Sequence, residues 1–188
     1  MTKMIRVLSF LISITFFFSV SAQSKRDISK YNIKSSTVTV DEPDKNDNMI
    51  SRTDRVYTWD KSGNLTKEFE YSKDGKLKKG VEIKYGKANK VMEEIYYNES
   101  ENIEEKINYS YNRLNKKTEE IVYNGSNEII RKTKFEYNGF GELISETTTD
   151  KNGNILSQSL YEYDNKGLRI EKRTMNGKGQ IVSVRKYS

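Results

Sequence analysis

The sequence predicts an all-β fold: an antiparallel meander of about eleven strands, built from 26-residue double-hairpin repeats and curled into a half-shell or barrel-like sheet. Three observations predict it. Aromatic residues come in pairs two positions apart, the period of a strand, as in Tyr57/Trp59, Tyr109/Tyr111 and Tyr161/Tyr163. The second member of each pair returns every 26 residues as Trp59, Tyr85, Tyr111, Tyr137 and Tyr163, with no insertion or deletion. A turn signal interrupts the chain at alternating intervals of 12 and 14 residues, leaving no room for a helix of ordinary length.

Residues 1–22 read as a secretory signal peptide, with Lys3 and Arg6 before an apolar run and Val20-Ser21-Ala22 as the cleavage site. The run is interrupted by serines and a threonine and is short for a stable bilayer span, so export is expected, to the periplasm or beyond the cell. Residues 23–30 read as a flexible lead and 31–188 as a single all-β domain. Within it, Tyr31 to Val40 alternates as an extra strand would, Asp41 to Asn48 is a polar loop, and Met49 to Trp59 is a long strand. The repeats then run 55–80, 81–106, 107–132, 133–158 and 159–184, and residues 185–188 begin a sixth.

Turn chemistry punctuates each repeat twice. The tetrapeptides DKSG (60–63), SKDG (72–75), GKAN (86–89), NESE (98–101), NRLN (112–115), NGSN (124–127), NGFG (138–141), DKNG (150–153), DNKG (164–167) and NGKG (176–179) mostly open with Asp or Asn, and all but one end with Gly or Asn. A type I turn wants a short acceptor side chain first, as Asp60, Asn112 and Asp164 supply. The left-handed residue after it wants Gly or Asn, as Gly63, Gly75, Asn115, Gly141, Gly153, Gly167 and Gly179 supply. Ten of the eleven glycines lie in these turns; Gly80 is the exception.

Hairpins of this type place Tyr71 opposite Leu77, Tyr97 opposite Ile103 and Tyr123 opposite Ile129. Strict alternation then puts Phe69, Ile95, Ile121, Leu65, Val91 and Leu143 on the same face as both aromatic columns, and Glu68, Glu94, Glu120 and Glu146 on the other. Eleven strands make an apolar face on the order of 1,300 Å², against the roughly 300–600 Å² that soluble monomers expose. Curling, dimerisation or a bound partner must cover such a face. In the last repeat Arg169 and Arg173 replace apolar residues, as a polar cap asks.

Composition excludes many chemistries. The chain has no His and no Cys, so no Ser-His-Asp triad, Cys nucleophile, zinc site of the Cys/His type or disulfide framework is available. Cleavage of the signal would remove Lys3 and Arg6 and leave 31 basic against 27 acidic residues, a net charge of +4 dispersed along the chain, which is no nucleic-acid footprint.

The strings YTWDKSGNL (57–65) and YEYDNKGLR (161–169) resemble the YD-repeat, or RHS-repeat, family, whose consensus is YDxxGxL. By position the motif falls on Trp59, Asp60, Gly63 and Leu65, and on Tyr163, Asp164 and Gly167. Gly86, Asn112 and Asn138 stand for the Asp in between, and Asn89 and Asn115 for the Gly. The resemblance covers about residues 55–188. It implies a small relative of proteins whose repeats wind into shells around a toxin, and of repeats described as carbohydrate-binding.

The expected function is therefore that of an exported, non-catalytic binding or structural module. The aromatic column Trp59, Tyr85, Tyr111, Tyr137 and Tyr163 is the candidate ligand surface, for a glycan or an envelope component. A protein partner, a homodimer or an immunity-type role is the alternative. The Glu68/Glu94/Glu120/Glu146 column, with Glu93 and Glu119, offers the paired carboxylates of a glycoside hydrolase, but its regularity reads more simply as a charge ladder. Asp44 to Asp47 and Asp150 to Asn154 have calcium-like spacing without a full motif, so no metal or other cofactor is expected.

Overall fold

The computed structural model describes residues 24–188, so the expected signal segment lies outside the described residues. A short helix, α1 (Lys25–Lys30), precedes twelve strands: β1 (Ser35–Pro43), β2 (Met49–Trp59), β3 (Leu65–Tyr71), β4 (Leu77–Tyr85), β5 (Val91–Tyr97), β6 (Ile103–Tyr111), β7 (Lys117–Asn124), β8 (Ile129–Tyr137), β9 (Leu143–Asp150), β10 (Ile155–Tyr163), β11 (Arg169–Asn176) and β12 (Ile181–Lys186). They form one antiparallel sheet in strict chain order. The sheet does not close into a barrel, because β1 and β12 are not paired with each other and remain its edges. The twelfth strand is β1, the extra strand before the repeats.

In place of a flexible lead, residues 24–30 are docked. Ser24 caps α1 by accepting the Asp27 amide at 3.2 Å, and Ile28 is buried. Ser29 Oγ donates to the Lys61 carbonyl at 3.0 Å, and Lys25 Nζ donates to the Asn64 side chain. Gly63, at φ +74°, lets α1 approach this closely, because a Cβ there would strike the Lys25 carbonyl.

All ten tetrapeptides turn hairpins. The fourth residue of each has positive φ, including Glu101 at +60°, which has neither the freedom of Gly nor the local hydrogen bonding of Asn. Asp60 shows the mechanism that the eight turns opening with Asp or Asn share: its Oδ1 accepts the amides of Ser62 at 2.8 Å and Asn64 at 2.9 Å. The polar loop before the repeats is an eleventh turn of this kind, with Asp47 at φ +60° and Asp44 Oδ1 accepting the Asn46 and Asn48 amides at 2.7 and 2.9 Å. Asp150 Oδ1 does the same for Asn152 and Asn154. The two calcium-like stretches thus direct their carboxylates at their own backbone.

The tyrosines before the turns face the residues expected, Tyr71 with Leu77, Tyr97 with Ile103 and Tyr123 with Ile129. Strict alternation beyond that point fails. Besides the bulge that the left-handed residue makes at its turn, every repeat hairpin carries a second one: Trp59 pairs with Leu65 but Thr58 with Lys67, and Tyr71 with Leu77 but Glu70 with Lys79. One extra residue exchanges the faces of everything after it. Glu68 therefore lies opposite Tyr57, and Phe69 opposite Val56 on the other side of the sheet.

This corrects the expected division into one greasy and one wet face. The first face holds the aromatic columns, Leu65, Val91 and Leu143 together with Glu68, Glu94, Glu120 and Glu146. The second holds Phe69, Ile95, Ile121 and the Tyr71/Leu77 pairs among lysines and glutamates. With its apolar residues shared between two faces, the sheet has no single continuous patch that only closure would hide. Its core is correspondingly thin: Val122, fully buried, lies directly across from buried Ile107, and Leu77 and Tyr161 are the other buried apolar residues of the strands.

Candidate functional site

The aromatic column is built into the sheet by its hydroxyls. Tyr85 Oη donates to the Leu65 carbonyl at 2.9 Å, Tyr111 to Val91 at 2.8 Å, Tyr137 to Lys117 at 2.7 Å and Tyr163 to Leu143 at 2.9 Å. In each case donor and acceptor are the last and first residues of one hairpin, twenty positions apart. The backbone ladder of the β3–β4 hairpin ends at Lys67 and Glu82, short of Leu65, so the phenol closes the mouth that the bulge leaves open. Trp59 ends the first hairpin, where the main chain does this work: its own amide donates to the Lys34 carbonyl at 2.9 Å. A residue without a hydroxyl suffices there.

Basic side chains cover several ring faces. Lys90 lies 5.9 Å from the Tyr111 ring centre, Lys116 5.4 Å from that of Tyr137, and Arg169 4.5 and 5.8 Å from those of Tyr161 and Tyr163. Lys117 Nζ sits between Tyr109 and Phe135, at 5.0 and 4.7 Å. Trp59 instead stacks on Tyr57, with ring centres 6.0 Å apart. All five rings of the column are half-buried.

The glutamate column shares this face, interleaved with the aromatics. Glu68 meets Arg55 at 3.4 Å, Glu120 meets Lys117 at 2.9 Å, and Glu94 Oε2 accepts both the Tyr96 and Tyr109 hydroxyls, at 3.0 and 2.9 Å. Burial first, and the Glu94 carboxylate second, push the Tyr96 phenol up to about 12 and that of Tyr109 higher still. Glu93 and Glu119 lie on the opposite face, where they pair with Lys84 at 2.6 Å and Lys132 at 3.4 Å.

Two arrangements escaped the sequence reading. Arg55 and Glu70 lie directly opposite each other and pair at 3.3 Å, with Lys78 2.7 Å from the same carboxylate; the hydrogen bond from Lys78 leads in holding Glu70 below the usual carboxylate range. Gly80, the glycine outside the turns, lies across from both Phe69 and Tyr97, whose rings meet over it at 5.7 Å. Its missing side chain is the space they fill. The signal for it was the exception itself.

No protein-family model matches the chain, and no curated protein matches it. Among solved structures it is similar to the Tc holotoxin pore of Photorhabdus luminescens, at 13% identity and a TM-score of 0.44 over 79% of this chain and 9% of that one. It is also similar to TcdB2-TccC3, at 12% identity and a TM-score of 0.45 over 80% of this chain and 10% of that one. A porin-like protein from Bacteroides uniformis matches at 16% identity and a TM-score of 0.39 over 75% of this chain and 56% of that one. The chain thus spans about a tenth of the two toxin chains. Among the described residues no helix is long and apolar enough to cross a membrane.

Proposed function

We propose that the protein is an exported, non-catalytic member of the YD-repeat group whose sheet serves as a structural and protein-binding module. One observation carries this reading: most of the side chains that the repeats offer for chemistry are spent on partners within the sheet itself. Tyrosine hydroxyls clasp hairpins, and Glu68, Glu94 and Glu120 each hold an Arg, a Lys or a pair of phenols. A surface organised in this way is a rigid scaffold with two strand edges, and edges are the part of a sheet that recruits further chain.

A glycan platform is the second reading, favoured by the Trp59–Tyr57 stack. The single tryptophan makes the two separable. Titration with envelope oligosaccharides is expected to leave Trp59 emission unchanged, with no release of sugar. A saturable change in emission would replace the protein-binding reading with the glycan one, and turnover abolished by a Glu-to-Gln change at one of the four column glutamates would end the non-catalytic reading.

A further inference from the structure

The strands β2, β4, β6, β8 and β10 each receive the strand that follows them through two columns of directly opposed side chains, and at three of the five positions of the column that contains Arg55 like meets like. Buried Ile107 faces buried Val122. Thr133 faces Thr148 with hydroxyls 3.0 Å apart, and Ser159 faces Thr174 at 3.2 Å. At the first position of the column charge meets charge: Arg55 faces Glu70 and touches both Glu70 and Glu68, at 3.3 and 3.4 Å. In the neighbouring column Tyr57 faces Glu68, and a glutamate recurs there in four of the five repeats.

Five repeats further on, Arg185 and Tyr187 occupy the places of Arg55 and Tyr57. Among the described residues nothing pairs with the outer edge of β12, where Ile181, Val182 and Val184 are exposed. This end of the sheet is also its basic end: residues 169–188 hold six Lys and Arg against the one acid Glu171. The other free edge, β1, is a poor complement for it. On the matching face β1 offers Ser36, Val38, Val40 and Glu42, and Glu42 already holds Arg52 and Lys73, each at 3.2 Å.

We propose that the outer edge of β12 docks an extended segment of a partner protein that carries two carboxylates separated by one residue. The segment adds a thirteenth antiparallel strand, with one carboxylate beside Arg185 and the other beside Tyr187. Main-chain hydrogen bonds supply affinity, as in other strand additions, and the basic edge selects acidic strands and speeds their encounter. This inference rests on the protein-binding reading of the sheet and narrows it to one edge and one chemistry.

The chain contains its own probe, because β3 with its flanking residues, Asn64 to Ser72, is the strand that Arg55 and Tyr57 receive. A labelled, end-capped peptide of that sequence, titrated into the protein, should bind saturably and more weakly as salt rises. Its binding should fall at least tenfold when both peptide glutamates become lysine. Arg185→Glu should lose the native peptide and gain the lysine one, and Arg185→Gln, with circular dichroism as a fold control, should weaken both the loss and the gain. Hydrogen exchange should slow at β12 amides and not at β1. Absence of binding to a folded protein, equal binding by Arg185→Glu, protection at β1, or masking of β12 by a second copy in light scattering each overturns the proposal. None of these touches the broader reading, which the Trp59 titration tests separately.

Discussion

Tyr137 Oη reaches the Lys117 carbonyl at 2.7 Å, joining the last residue of β8 to the first residue of β7 at the end of the hairpin farthest from its turn. Three more tyrosines repeat this clasp at the same twenty-residue interval. It explains why the chain keeps a phenol where a phenyl ring would pack as well. Tyr137→Phe is expected to cost about 1 kcal/mol, the net worth of one hydrogen bond, read as a lower urea midpoint with unchanged slope. Hydrogen exchange should quicken at the mouth of the β7–β8 hairpin and leave its turn as it was. An unchanged midpoint would mean that water donates to the Lys117 carbonyl in place of the phenol at no cost.

Gly63 and Gly75 have nearly the same backbone angle, φ +74° and +76°, and different surroundings. Gly75→Ala meets no atom within 4 Å and should lose only the strain of the left-handed region, about 1–2 kcal/mol. Gly63→Ala adds a collision with the Lys25 carbonyl, so α1 should also undock. Trypsin distinguishes the two: cleavage at Lys25, Arg26 and Lys30 should accelerate in Gly63→Ala and not in Gly75→Ala.

A methyl group on Gly80 would lie 2.7 Å from the Phe69 ring. Gly80→Ala should therefore destabilise by about 1–3 kcal/mol, as overpacking does. In the Phe69→Leu background the same change should cost much less. A double-mutant cycle that came out additive would show that the ring is free to move aside.

The Glu94 carboxylate and its two phenols set the response to alkali. Tyr96 in the folded protein titrates near 12, against about 10 in an unfolded chain, and Tyr109 titrates higher. Both are raised, so their contribution to stability is complete below pH 10 and is lost as pH climbs from about 10 towards 12 and beyond. Tyrosinate absorbance should show a late group of phenols that ionise with unfolding. Glu94→Gln should bring part of that group forward, and burial should keep the rest late.

The sequence by itself determined the repeat length, the position of every repeat turn and the meander order, because each rests on chemistry within a few residues: a short acceptor side chain, a left-handed Gly or Asn, and a tyrosine opposite an aliphatic residue. It did not determine which side of the sheet a residue faces. The second bulge in each hairpin has no compositional mark at Thr66 or Lys78, and it sends Phe69 and Glu68 to the sides opposite those that alternation assigns. The clasp hydroxyls, the Arg55–Glu70 pair, the docking of α1 on Gly63 and the open edges likewise belong to the tertiary structure. Each depends on residues brought together across strands, and a register offset of one residue decides which of them meet.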